Sequence, residues 1–162
     1  MVDKVSAYLA VHGSIYENIR FADTKATAIT AVNLAVVGGL YSLDIFNNLA
    51  IVSFSIACAA FFALALSIIF SMCVIRPRGN TTANTAEGQL TDPNKIKAIS
   101  YESFRKRMEQ ANEYEIINHI GILIYDRSVT NDRKYRWLSC QILSSFAGWA
   151  LSLTSILVKL LN

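Results

Sequence analysis

The chain has 162 residues, of which 53% are hydrophobic and 17% are charged, and its net charge is +3 at pH 7. This length is typical of a single domain. Most of the basic residues flank long apolar segments, which argues against a nucleic-acid-binding protein and favours a membrane protein.

Three segments contain no Asp, Glu, Lys, Arg or His: residues 26–43, 49–75 and 138–158. Each reaches the roughly 18 residues that a helix needs to cross a bilayer. Three such segments in so short a chain leave too few residues to cover them in water. The sequence therefore predicts an all-α integral membrane protein with three transmembrane helices and a small helical cytosolic region.

Four regions follow from this pattern. They are an N-terminal amphipathic cytosolic helix (residues 1–25), a transmembrane hairpin of two spans (26–75), a cytosolic loop and helical region (76–137) and a third span (138–162). The first 25 residues carry six charged side chains and no long apolar core, so we expect no cleavable signal peptide there. The first span is then a signal-anchor that stays in the protein.

In chain order, "IRFADTKATAITAVNLAVVGGLYSL" (residues 19–43) has no break between its charged and apolar halves and predicts one continuous helix. The second span should stop at "VIRPRGN", because Pro77 disfavours helix at the residue before it. "TDPN" predicts a new helix capped by Asp92. Its apolar stripe continues to Ile120, with a bend or break expected at "DRSVTND" before "RKYRW" leads into the third span.

The basic residues predict the orientation. Three of them precede the first span and eleven lie between the second and third spans, whereas the "DIFNN" turn has none and only Lys159 follows the third span. By the positive-inside rule, the N-terminus and the long loop are cytoplasmic in this multi-pass protein.

Small residues recur at intervals of four in all three spans, a spacing that lets helix backbones approach closely in lipid. The rows are Ala31, Ala35 and Gly39; Ala59, Ala63, Ser67 and Ser71; and Ser144, Gly148 and Ser152. These rows either hold the monomer together or contact another subunit. Because a bundle of three spans has few internal interfaces, we expect the protein to form homo-oligomers.

No pattern in the chain is typical of an enzyme. His12 and His119 are isolated, no Ser-His-Asp or Cys-His arrangement occurs, and Cys58, Cys73 and Cys140 lie inside or at the edge of spans. We therefore predict a non-enzymatic protein without a metal or cofactor.

Cationic residues from separate segments are expected at the same membrane interface, and two explanations stay open. They either extend to phospholipid headgroups or converge on a phosphate-bearing ligand. Asp23 and Thr24 are placed to hydrogen-bond to the 76–78 segment. The candidate ligand-binding residues are Arg20, Asp23, Lys25, Arg76, Arg78, Tyr101, Arg105, Arg133 and Lys134.

"FADTKA" at the first span, "IRPR" after the second and "RKYRWL" at the third, in this order, resemble the Pycsar-type transmembrane effectors of bacterial antiphage defence. The resemblance covers nearly the whole chain. One stretch departs from it: "ISYESF" stands where relatives often have an aromatic residue followed by Phe-Gly-Asp.

The resemblance implies a partner cyclase that makes a cyclic pyrimidine nucleotide during infection. The effector then oligomerises, disrupts the inner membrane and arrests the infected cell; its partners are lipids, further copies of itself and the cyclase through its product. Two other hypotheses remain. One is a membrane-anchored scaffold whose cytosolic helices recruit a protein, and the other is a constitutive toxin silenced by a partner.

Overall fold

The structure of the protein is a computed structural model that describes residues 2–43, 51–76 and 100–161. These residues form four α-helices and no strand. The helices are α1 (Val2–Ser42), α2 (Ile51–Ile75), α3 (Tyr101–Gln110) and α4 (Glu113–Leu161). The predicted all-α class is confirmed for this part of the chain.

Two helix boundaries agree with the sequence. The α1 helix runs without interruption from its charged half into its apolar half. The α2 helix ends at Ile75, two residues before the proline that predicted the end. The predicted helix start at Asp92 lies outside the described residues.

Two other predictions about helix continuity are wrong. The apolar stripe that predicted one helix through residue 120 is divided at Ala111 and Asn112, which are not helical. There the Asn112 side chain accepts a hydrogen bond from the Glu115 N–H (2.9 Å), and Glu115 accepts one from the Asn112 N–H (3.1 Å). This reciprocal capping box starts a new helix.

The second error concerns "DRSVTND" (residues 126–132), where a bend or break was expected. There is no break, because this stretch is helical and α4 runs from Glu113 to Leu161; the bend stays a prediction. The stretch contains no Pro or Gly to stop a helix. Thr130 also turns its hydroxyl back onto the Asp126 carbonyl at 2.9 Å, so this polar side chain is satisfied within the helix.

The predicted count of three spans is corrected as well. Two helices of the described chain are long and apolar enough to cross a membrane: Phe54–Ile75 in α2, and α4. The first predicted span, in α1, is not among them. Its helix ends at Ser42, and its apolar part includes Thr27, Thr30 and Asn33, which lower its mean hydropathy.

The described residues divide into two compact units, and α1 and α4 contribute to both. The amphipathic unit comprises the described parts of Met1–Ile19 and Pro77–Asp132, including α3. The bundle unit comprises those of Arg20–Arg76 and Arg133–Asn162.

In the bundle unit, buried positions recur at alternating intervals of three and four residues along α2 and α4, as in a coiled coil. In α2 they are 57, 60, 64, 67, 71 and 74, and in α4 they are 138, 141, 145, 148, 152 and 155. One apolar cluster comprises Ala22, Ala26, Val74 and Leu138, and a second comprises Leu40, Ala57 and Leu64.

Large apolar side chains lie mainly on the outside of this bundle, while small and polar ones are buried. Phe62 in α2 is 65% exposed and Leu143 in α4 is 73% exposed, whereas Ser67 and Gln141 are fully buried. Only 28% of the apolar segment of α2 is buried, although the core helix of a soluble protein is mostly buried. This inverted distribution is typical of helices surrounded by lipid.

The predicted rows of small residues are only partly internal. Ser67, Ser71, Gly148 and Ser152 are buried in the bundle. The row in α1, at positions 31, 35 and 39, is exposed. Helix packing within the chain therefore uses the rows of α2 and α4 but not that of α1.

Candidate functional site

An ion pair joins α1 to α4 at one end of the bundle unit. Lys134 Nζ donates to Asp23 Oδ1, and the Lys134 side chain is 10% exposed against 36% for Asp23. A nearly buried ammonium group requires a counter-charge, because desolvation strongly disfavours an unpaired one. The neighbouring Ala22 and Leu138 belong to the first apolar cluster, so the pair lies directly beside this part of the core.

Further cations lie at this end of the bundle. Lys25 places its ammonium 4.3 Å from the centre of the Phe21 ring, in a cation–π contact. Arg20 and Arg133 are exposed on α1 and α4, and exposed Arg76 directly follows α2, whose Val74 packs in the same cluster as Ala22 and Leu138. We refer to Arg20, Asp23, Lys25, Arg76, Arg133 and Lys134 as the charged end. With five cations and one carboxylate, it attracts anions.

Six of the nine candidate ligand-binding residues thus lie at the charged end. Arg78 lies outside the described residues. Tyr101 and Arg105 belong to the amphipathic unit, where Tyr101 is 76% exposed at the start of α3 and Arg105 pairs with Glu109 at 2.8 Å. Ligand binding by any of the nine stays a prediction.

The contacts predicted between α1 and the 76–78 segment stay a prediction, because residues 77 and 78 lie outside the described residues. Asp23 pairs with Lys134 of α4, a residue that the sequence analysis had grouped with the cations without assigning it a partner. Thr24 donates to the Arg20 carbonyl of its own helix at 3.0 Å.

A second polar feature lies deeper in the bundle and connects all three helices. The Asn33 amide of α1 donates to Ser67 of α2 (2.9 Å) and to Ser145 of α4 (3.0 Å). The two serine hydroxyls lie 2.7 Å apart, and the Trp149 indole N–H donates to Asn33 Oδ1 at 2.9 Å.

Gln141 extends this network toward the charged end. Its amide donates to the Ala26 carbonyl (2.9 Å) and to the Thr30 hydroxyl (3.3 Å), while Ser67 donates to the Gln141 carbonyl (3.1 Å). Its Oε1 atom is buried and has no hydrogen-bond partner. We call Thr30, Asn33, Ser67, Gln141, Ser145 and Trp149 the polar seam.

The polar seam was not predicted from the sequence, where the absence of charges and the rows of small residues were the features used for the apolar segments. Asn33 and Gln141 carried the signal, since a carboxamide within an apolar segment requires hydrogen-bond partners and usually faces other helices. Which serines supply those partners depends on the register of the three helices.

Replacing Asn33 with leucine is expected to lower the free energy of unfolding in detergent by about 1–2 kcal/mol. The substitution leaves the half-buried Trp149 N–H without its acceptor. Thr27→Val is the control, because Thr27 is exposed and its hydroxyl bonds to a carbonyl of its own helix. Equal thermal unfolding curves for the two variants would show that the polar seam does not stabilise the bundle.

The amphipathic unit contains an open groove of about 370 Å³. It is lined by Tyr8, Tyr114, Ile117, Asn118, Gly121, Ile122 and Tyr125. Tyr114 and Tyr125 are 80% and 69% exposed, so this aromatic face of α4 is accessible.

The Pycsar effector protein domain matches residues 7–160 of the chain. No curated protein and no solved structure matches it. Since the matched range covers nearly the whole chain, the protein belongs to the Pycsar effector family, as its motifs predicted, and has the role of an antiphage defence effector. Family membership together with the two apolar helices indicates a membrane protein.

Proposed function

We propose that this Pycsar effector is a non-enzymatic protein of the bacterial inner membrane that binds a cyclic pyrimidine nucleotide. A partner cyclase makes the nucleotide during infection. The bound effector acts as a homo-oligomer, disrupts the membrane and arrests the infected cell. The observation that carries this proposal is the charged end, which combines five cations with one carboxylate.

The chemistry of the charged end suits a phosphate ligand. Arginine forms two parallel hydrogen bonds to phosphate oxygens, and Arg20, Arg76 and Arg133 are exposed to such a ligand. A bound phosphate also competes with Asp23 for Lys134. Ligand binding then acts on the ion pair that joins α1 to α4.

The charge distribution also favours an orientation that brings the charged end to the ligand. Under the positive-inside rule, the end of the bundle richest in Lys and Arg faces the cytoplasm. A nucleotide made in the cytoplasm reaches this face directly. The apolar exterior of α2, only 28% of whose apolar segment is buried, leaves surface for lipid and for further copies of the chain.

Thermal unfolding of the purified protein in detergent, with a panel of cyclic mono- and dinucleotides, tests direct sensing. A ligand present at about 100 times its dissociation constant should add about 2.7 kcal/mol to the free energy of unfolding. Arg20→Gln, Arg76→Gln and Arg133→Gln should each reduce this gain and leave the ligand-free unfolding temperature unchanged, because these side chains are exposed.

Lys106→Gln serves as the matched control, since Lys106 is exposed on α3 in the amphipathic unit. It should keep the full nucleotide response. A response that survives all three arginine substitutions would place the ligand elsewhere. No response to any nucleotide, in folded protein, would refute direct sensing.

The groove in the amphipathic unit favours one alternative, a scaffold that recruits a partner protein through exposed aromatic side chains. The two functions differ in their effect on membrane potential. During phage infection, an effector that disrupts the membrane should depolarise the cells, and Arg76→Gln should prevent this. A scaffold should leave the potential unchanged, and its protective effect should be lost in Tyr114→Ser.

A further inference from the structure

We infer that the polar seam lines the water-filled path through which the activated protein breaches the membrane. The inference rests on the proposed function and specifies its mechanism. In this mechanism the membrane is breached along a path lined by the buried faces of α2 and α4, and not by a general disordering of the lipid.

The buried small and polar residues of α4 beyond Leu138 form one continuous face. Gln141, Ser145, Gly148, Ser152 and Ser155 follow one another at intervals of four, three, four and three residues, and all are buried. This spacing keeps them on one side of the helix. The adjoining Leu143 and Phe146 are 73% and 59% exposed, so the outer face of the same helix is apolar.

The α2 helix contributes a matching face. Ser67 and Ser71 are buried one turn apart, and Ser67 lies 2.7 Å from Ser145. Asn33 of α1 donates to both Ser67 and Ser145, so in this structure α1 covers the contact between the two polar faces. Few of the polar groups therefore need water in this state.

Two buried atoms on the polar face of α4 are nevertheless left without partners. Gln141 Oε1 and Ser155 Oγ make no hydrogen bond, although both residues are fully buried. An unsatisfied polar group in an apolar environment is costly, and water is the usual partner for such a group. These two atoms lie on the polar face of α4. This face is therefore the one that we expect water to contact in the activated protein.

The position of the polar groups suits a path for small ions. Ions need polar or hydrated surroundings to cross hydrocarbon. Residues 54–75 of α2 and 138–158 of α4 contain no charged side chain, so their polar side chains are hydroxyls and a carboxamide. They are concentrated on the buried faces, and the opposite faces suit lipid.

Cysteine accessibility tests this inference with a control that the chain already provides. Cys140 is exposed on α4, beside buried Gln141 and five residues from buried Ser145. With Cys58 and Cys73 replaced by alanine, one protein keeps Cys140, and the other carries Cys140→Ala with Ser145→Cys. Both are reconstituted in vesicles of phosphatidylethanolamine and phosphatidylglycerol. They are treated with a water-soluble thiol reagent, with and without cyclic CMP or cyclic UMP, while release of a trapped dye is recorded.

We expect the thiol introduced at Ser145 to react at least about tenfold faster when the nucleotide causes dye release, because the reagent needs access through water. Cys140 should remain slow. Dye release with both thiols equally reactive, or with the introduced thiol still protected, would overturn the seam path and leave the proposed function intact. Absence of dye release with either nucleotide would overturn the proposed function together with this inference. Ser67→Cys is the second probe if Ser145→Cys lowers the unfolding temperature.

Discussion

Replacing Asp23 with asparagine is expected to lower the free energy of unfolding by about 3 kcal/mol. The substitution leaves the Lys134 ammonium, whose side chain is only 10% exposed, without a counter-charge. Because asparagine has nearly the shape of aspartate, packing changes little. The loss of stability then results from removal of the negative charge. Thermal or denaturant unfolding in detergent measures it.

Two further variants distinguish a buried charge from a simple lost contact. Lys134→Met in the Asp23→Asn background should recover most of the stability, because it removes the unpaired charge. Glu109→Gln breaks the exposed pair with Arg105 in α3 and should change stability by less than about 0.5 kcal/mol. Similar losses for Asp23→Asn and Glu109→Gln would contradict a special role for the Asp23–Lys134 pair.

Replacing Gly148 with alanine is expected to destabilise the bundle by about 1–3 kcal/mol. A Cβ atom there would lie 2.6 Å from Leu64 Cδ2, 2.7 Å from Leu64 Cγ and 3.3 Å from the Leu64 backbone nitrogen. Leu64 is fully buried and has little room to move. The added methyl group therefore separates α2 from α4, which a lower unfolding temperature would reveal.

Gly39→Ala is the matched control within the bundle unit. Nothing lies within 4 Å of a Cβ atom at this position, and alanine favours the helix by about 0.5–1 kcal/mol. The control should therefore be neutral or stabilising. Leu64→Ala should partly relieve the clash in the Gly148→Ala background. If the two glycine variants behave alike, the close approach of α2 and α4 at Gly148 is not a determinant of stability.

The sequence contained the charge-free segments and predicted the helical class, the end of α2 and the family. These features depend on local composition, on the constraint that proline places on its neighbour and on short motifs in order. It also identified the cations of the charged end, because residues flanking apolar segments share a depth.

Contacts between different helices could not be predicted from the sequence. The capping box of Asn112 and Glu115 is a local contact that the sequence could have indicated, since Glu follows Asn by three residues. The pairing of Lys134 with Asp23 depends instead on how α1 lies against α4. The polar seam likewise requires a specific register of three helices, which brings Asn33 within hydrogen-bond distance of Ser67 and Ser145. Residues 34 and 112 positions apart along the chain interact here, and no local pattern encodes such contacts.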